Sequence, residues 1–223
     1  MKIPIEISAR HCHLSQKDLE ALFGKGYELK KLRQLTQPSD FACQETVAIK
    51  SNSHILENIR IVGPVREQTQ VEISKTDAIF LKIDAPLRLS GDLKGSGAIK
   101  IIGPAGEINL LEGLIIPQRH LHCATDEVKK LKLENGSVVS IKIPARNAAP
   151  ACKAVATAGR HSVAGGPARN AAHSAAGGEG ERGVIFNNVK VRVRDDYKLC
   201  LHLDTDEGNA CGINKVGEGL LIP

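Results

Sequence analysis

The chain writes one small motif twice, as Arg10-His11-Cys12-His13 and as Arg119-His120-Leu121-His122. Residues two apart on a strand share a face, so each pair can aim two imidazoles at one point. Neutral imidazole is the commonest protein ligand for zinc and related metals. The repetition therefore reads as a metal site built from two related halves. A further echo links His122-x-x-Thr125-Asp126-Glu127 to His202-x-x-Thr205-Asp206-Glu207, with Cys200 standing where His120 stands. The bland reading is five separate histidines, each satisfied by hydrogen bonds. It suits a lone His-x-His better than two pairs in matching contexts plus an echo. Cys12 lies between two candidate ligands and faces the other way. Its counterpart is Leu121, so it reads as core packing, and Cys123, matched to Leu14, reads the same. Cys200 could approach the metal by analogy with His120.

A second constellation is Gly63-Pro64-Val65-Arg66-Glu67-Gln68-Thr69-Gln70-Val71-Glu72. A Gly-Pro turn delivers Arg66, and a short strand then carries Glu72. Arginine suits bidentate recognition of phosphate, and a carboxylate can complete a histidine-rich metal site. From spacing alone, Arg66 reads as a member of a surface ion pair. Nothing matches a Walker loop, a dinucleotide fingerprint or a Gly-x-Ser-x-Gly elbow. The Gly-rich stretch Ser90-Gly91-Asp92-Leu93-Lys94-Gly95-Ser96-Gly97 lacks phosphate-loop spacing and reads as a turn.

These residues must be positioned mostly by strands. Ile3–Ile7, Thr46–Ile49, Ile59–Val62, Val71–Ile73, Ile99–Ile102, Val138–Ile143 and Val189–Val193 alternate or are β-branched, with Gly, Pro, Asn and Asp between them. Two stretches read as helices. Ser15 caps the first, with Asp18 at its third position, Leu19, Leu22 and Phe23 following, and Gly24 closing it. A cap at Thr125, with Asp126 and Glu127 after it, opens the second, with Val128 and Leu131 on one face. Many strands and few short helices predict a mainly β protein of two small β-barrels capped by short α-helices. Ile59-Arg60-Ile61-Val62-Gly63-Pro64 also resembles Ile99-Lys100-Ile101-Ile102-Gly103-Pro104. Together with the histidine motifs, this suggests duplicated units. The segment from about 145 to 180 is dominated by Ala and Gly and is expected to be a flexible insertion, which excludes His161 and His173 as ligands.

Composition narrows the partners. The chain has 223 residues, 42% hydrophobic and 25% charged, as in an ordinary globular protein. Aromatics make up 3% and there is no Trp, which argues against a base-stacking nucleic-acid platform. The net charge of +5 is spread along the chain and fits an anionic small molecule better than nucleic acid. No apolar run reaches membrane-spanning length, no secretory leader is visible, and six cysteines without Cys-x-x-Cys spacing suggest reduced thiols in the cytoplasm.

Ser8-Ala9-Arg10-His11-Cys12-His13-Leu14-Ser15, Gly63-Pro64-x-Arg66-x-x-Thr69-Gln70-Val71-Glu72, Ala85-Pro86-x-Arg88-x-Ser90-Gly91-Asp92, Gln118-Arg119-His120-x-His122 and His202-x-Asp204-Thr205-Asp206-Glu207 occur in this order. The chain thereby resembles the phosphate propanoyltransferase family, the phosphotransacylases associated with propanediol-utilising bacterial microcompartments. The resemblance spans essentially all of it except the Ala/Gly insertion. It implies reversible transfer of a short acyl group, propanoyl or acetyl, between coenzyme A and orthophosphate at a dinuclear centre, with two Zn2+ per chain. By position, His11, His13 and Glu72 would hold one metal, and His120, His122 and His202 the other. Arg66 would be the catalytic arginine beside the phosphate. The first strand would join the C-terminal barrel, giving residues 10–117 as a central barrel with an inserted hairpin, and residues 1–9 plus 118–223 as a discontinuous second barrel.

The chemistry is coherent with those residues. Arg66 would hold and align a poor nucleophile, and metal at the histidines would polarise the thioester and ease thiolate departure. Direct transfer without an acyl-enzyme is expected. Family members in microcompartments carry an N-terminal targeting extension. Few residues precede the first histidine motif here, so a cytoplasmic enzyme is expected, working on small molecules rather than nucleic acid or membrane. Its oligomeric state stays open, and a homo-oligomer is compatible with these features. Two other readings compete. One is a cupin-like mononuclear metal oxygenase or isomerase, although the Gly-flanked cupin spacing is missing. The other is a non-catalytic metal-binding structural protein.

Overall fold

The computed structural model describes residues 1–144 and 183–222. The Ala/Gly-rich insertion, with Cys152, His161 and His173, lies outside the described residues. In chain order the elements are β1 (Lys2–Ile7), β2 (His11–His13), α1 (Gln16–Phe23), β3 (Lys31–Gln34), β4 (Phe41–Ser51), β5 (His54–Gly63), β6 (Gln70–Glu72) and α2 (Lys75–Leu81). They continue with β7 (Leu87–Arg88), β8 (Gly97–Ile102), β9 (Glu107–Pro117), β10 (His120–Cys123), α3 (Thr125–Leu131), β11 (Val138–Ile143), β12 (Val184–Val193), β13 (Cys200–Leu203), α4 (Thr205–Ala210) and β14 (Val216–Ile222).

The strands close into two barrels of six. One runs β4-β5-β2-β6-β9-β8 and back to β4, with β3 and β7 appended on β4 and β9. The other runs β1-β13-β10-β12-β11-β14 and back to β1. Both rings show the same alternation of parallel and antiparallel neighbours. The two His-x-His strands, β2 and β10, occupy equivalent places, each parallel to one neighbour and antiparallel to the other. In this correspondence β6 and α2 match β13 and α4, and β9 matches β1. The leading strands are exchanged: β1 runs into β2 but pairs in the C-terminal barrel, and β9 runs into β10 but pairs in the N-terminal one. The Ile-x-Ile-x-Gly-Pro echo lies outside the correspondence, because β5 and β8 sit at non-equivalent places in one barrel.

Period-2 alternation sorts the side chains. Cys12, Ile61, Val71 and Leu114 are fully buried inside the first barrel, as are Leu121, Cys123, Val189 and Leu201 inside the second. The residues between them point out of their barrels and toward the other barrel. They include His11, His13, Gln70 and Glu72 on one side, and Glu6, His120, His122 and His202 on the other. Hydrogen bonds tie the barrels together: Gln37 Nε2 donates to the Lys198 carbonyl (3.0 Å), and Lys198 N–H donates to Gln37 Oε1 (3.1 Å).

Short helices follow the site strands, each started by a local cap. Ser15 caps α1, accepting from Asp18 N–H, and Gly24 ends it at φ 107°. The cap of α3 is Ala124 rather than the expected Thr125. Ala124 has no capping oxygen, so the Glu127 carboxylate accepts its N–H at 2.9 Å, while the Thr125 hydroxyl turns to Asp195. Two helices were not expected, α2 and α4. Each opens with a capping box, Ser74 with Asp77 and Asp204 with Glu207. The five described cysteines, Cys12, Cys43, Cys123, Cys200 and Cys211, are buried.

Candidate active site

In the first half-site, β2 presents His11 and His13, and the antiparallel β6 sets Glu72 opposite His11. His11 Nδ1 lies 2.9 Å from the Ala9 carbonyl and His13 Nδ1 lies 2.9 Å from the Val62 carbonyl. Carbonyl oxygens only accept, so both Nδ1 atoms must carry the proton, and both Nε2 atoms expose lone pairs. Those lone pairs face each other at 3.2 Å, with Glu72 Oε2 3.6 Å from His11 Nε2. Two lone pairs and a carboxylate oxygen repel one another unless a cation sits among them. Zinc–ligand bonds of about 2.0–2.1 Å place tetrahedral donors about 3.4 Å apart, which is the spacing seen. Burial resists ionisation of Glu72. His11 and His120, with the Ser90 hydrogen bond and Arg66, nevertheless hold its carboxyl below the usual range. Gln70 Nε2 donates to Glu72 Oε1 (2.5 Å) and to Ser90 Oγ (2.9 Å), leaving Oε2 toward the histidines.

The second half-site repeats this on β10 and β13. His120 and His202 are cross-strand partners, and the rings of His120, His122 and His202 lie with centroids 4.6 to 5.2 Å apart. His120 Nδ1–H donates to the Gln118 carbonyl (2.9 Å), repeating the His11 arrangement. Both His122 nitrogens and His202 Nε2 are buried without a hydrogen-bond partner. An orphaned buried polar atom costs about 1–3 kcal/mol, and one ion could serve a nitrogen of His122 and one of His202 together. Burial, then the neighbouring His202, pushes His120 down to about 3, and burial with His120 and His202 takes His122 lower still. His13 is driven well below its ordinary value by burial, His11 and Arg66. Neutral imidazoles are the form that ligates metal. The residues thus fit two divalent cations, one with a His-His-Glu set and one with three histidines. Tyr197 stacks on His122 at 4.1 Å and holds the ring that lacks a carbonyl anchor.

Arg66 reaches the same space. Its N–H donates to the Leu14 carbonyl (2.9 Å), fixing its loop to the end of β2. Ser15 N–H donates to Thr69 Oγ1 (2.9 Å) and Thr69 donates to Asp18 (2.5 Å), clasping the same loop to the start of α1. Its guanidinium donates to Ser90 Oγ (3.2 Å) and pairs with Asp40 (3.8 Å). Arg66 therefore lies in the site, not on an outer surface as spacing alone suggested. All six candidate ligands and Arg66 line one cavity of about 430 Å³ between the barrels.

Gln70, Ser90, Tyr197 and Glu6 line or shape the site and were missed in the sequence. Gln70 could have been found, since it shares a strand face with Glu72. Ser90 could not, because it arrives from a turn 24 residues after Arg66.

The phosphate propanoyltransferase family model matches residues 4–159 and 170–214. The chain is 38% identical over 212 residues to the phosphate propanoyltransferase of Thermotoga maritima, covering 95% of this chain and 85% of that one. It is 40% identical over 219 residues to that of Priestia megaterium, covering 98% and 85%. The chain belongs to the phosphate propanoyltransferase family. It is an acyltransferase, which sets aside the cupin-like oxygenase and the non-catalytic readings. Among the described residues, no helix of this family member is long and apolar enough to cross a membrane.

Proposed function

We propose that this chain reversibly transfers a short acyl group, propanoyl or acetyl, between coenzyme A and orthophosphate at a two-metal centre, zinc being the best match to the donors. The observation that carries this reading is the convergence of the two donor sets and Arg66 on one cavity. In the forward direction the phosphate oxygen forms a bond to the acyl carbon as the carbon–sulfur bond breaks. The proton of hydrogen phosphate is delivered to the departing thiolate, so acyl phosphate and free coenzyme A balance the reactants. Arg66 binds and aligns phosphate through its guanidinium, which Asp40 and Ser90 hold in place. His11, His13 and Glu72 would hold one ion, and His120, His122 and His202 the other. Bound ions would supply Lewis-acid stabilisation of the developing oxyanion and of the thiolate. Gln70 keeps one Glu72 oxygen engaged so that the other points at its site. Transfer is direct, in a ternary complex.

Residues 10–117 and residues 1–9 plus 118–223 are the proposed units, in keeping with the membership of the two sheets. Buried cysteines such as Cys12, Cys43, Cys123 and Cys200, kept as thiols, suit a reducing cytoplasm. The test is phosphate-dependent release of coenzyme A from acetyl- and propanoyl-CoA, alongside metal content. We expect two ions per chain, and Arg66→Ala should lower turnover by on the order of 10²–10³ with the ions retained. Isolation of an acylated protein without phosphate, or full activity in Arg66→Ala, refutes the reading.

A further inference from the structure

Two loops line the shared cavity from opposite barrels, residues 35–40 before β4 and residues 194–199 before β13. Each brings one side chain to the reacting groups. Asp40 pairs with the Arg66 guanidinium at 3.8 Å, and Tyr197 stacks on His122 with ring centroids 4.1 Å apart. Both side chains stand on local turns and not on strands. The Asp40 N–H donates to the Gln37 carbonyl (3.1 Å), and the Tyr197 N–H donates to the Arg194 carbonyl (3.2 Å). The exchanged strands fix the barrels, but neither loop belongs to those strands.

Gln37 joins the two loops. It is buried, with 3% of its surface exposed. Its Nε2 donates to the Lys198 carbonyl at 3.0 Å, and its Oε1 accepts the Lys198 N–H at 3.1 Å. One amide thus meets both backbone groups of one residue, as a strand neighbour would, and only one orientation of that amide satisfies both. Lys198 directly follows Tyr197, and the Gln37 carbonyl closes the turn that holds Asp40. The clasp therefore connects the Arg66–Asp40 pair to the Tyr197–His122 stack.

We propose that Gln37 is a positioning residue for acyl transfer, its amide setting the spacing between Arg66 on one barrel and His122 on the other. The inference rests on the reading of Arg66 as the residue that holds phosphate. Attack needs the reacting atoms about 3–3.5 Å apart, and misplacement by about 1 Å can cost about 100-fold. Gln37 acts through its two loops, so its loss should lower kcat rather than raise KM. Arg66 keeps its bond to Ser90 without the clasp, and phosphate still binds.

The test measures phosphate-dependent release of coenzyme A from acetyl-CoA and propanoyl-CoA at a temperature where circular dichroism shows each protein folded. Gln37→Met keeps the volume and loses both bonds. Its kcat should fall by about 10- to 100-fold, while KM for phosphate changes by less than about threefold. Gln37→Glu keeps the length and the acceptor but not the donor. It should lose less, and it decides the matter alone if Gln37→Met does not fold. In an Asp40→Asn background the effect of Gln37→Met should shrink by at least about threefold, because both act through Arg66. Wild-type kcat in the variants, with only a lower thermal midpoint, would overturn the inference. So would full additivity with Asp40→Asn, or a raised KM at unchanged kcat. Absence of phosphate-dependent release by wild type would instead defeat the acyl-transfer reading, and this inference with it.

Discussion

Metal-free protein should lose stability steeply between pH 7 and pH 5. His120 is pushed down to about 3, first by burial and then by His202, and His122 is pushed lower by burial with His120 and His202. In the unfolded chain a histidine titrates near about 6.5. Below that pH the unfolded state takes up protons that the folded state refuses. Stability is therefore intact above the unfolded value and drains away as pH falls toward the folded one. For a histidine that stays neutral when folded, the loss from pH 7 to pH 5 is about 2 kcal/mol. His120 and His122 together give about 4 kcal/mol, against a typical total of about 5–15 kcal/mol. Asp204 and Glu207 act with the opposite sign, since burial raises both carboxyls, and a variant is needed to isolate the histidines. The assay is urea unfolding by circular dichroism after chelation, at pH 7 and pH 5, for wild type and for His120→Gln/His122→Gln. Wild type should lose about 4 kcal/mol more than the variant over this interval. Equal losses in the two proteins would refute the reasoning.

Gln70→Ala removes the 2.5 Å donor to Glu72 Oε1, a hydrogen bond to charge worth about 1.5–3 kcal/mol, and should weaken metal at the first centre by about 10- to 100-fold in chelator competition. Gly103→Ala would place a Cβ 2.5 Å from the Leu22 carbonyl oxygen. The fold should lose about 1–3 kcal/mol, read as a lower thermal midpoint, with metal content unchanged. Leu201→Ala opens a cavity among fully buried neighbours in the second barrel and should cost about 2–5 kcal/mol in urea unfolding.

The histidine pairs could be read from the chain because strand periodicity alone assigns them a shared face. The same rule put Cys12 and Leu121 inside, where they lie fully buried. The equivalence of Glu72 and His202 was hidden because the two residue types differ, and only strand order reveals it. Helix α2 has its capping box in the sequence. Its seven residues nevertheless leave Ile79 66% and Phe80 49% exposed, so no amphipathic period betrays it. The Ile-x-Ile-x-Gly-Pro echo misled for the opposite reason: strand-then-turn chemistry recurs wherever a barrel strand must end. Ser90 and Arg66 meet through tertiary structure, which local spacing does not encode.

The exchanged strands explain how this fold can hold its two His-x-His half-sites in register, as the proposed two-metal centre requires. Metal–ligand distances tolerate only about 0.2 Å of error, and two barrels touching through a soft interface would drift by more than that. Here a link of only three residues (8–10) or two (118–119) separates each His-x-His strand from a strand that belongs to the other barrel. β1 leads into His11 and β9 into His120. Separating the half-sites would require tearing β1 from β13 and β14, or β9 from β6 and β8. The two crossing points are clamped in the same way. Arg10 pairs with Asp77 of α2 at 2.7 Å, and Arg119 pairs with Glu207 of α4 at 2.5 Å, each partner being the carboxylate of a capping box. The repeated Arg-His-x-His is therefore more than a pair of candidate ligands: in both copies its arginine makes an ion pair at the crossing beside its histidines.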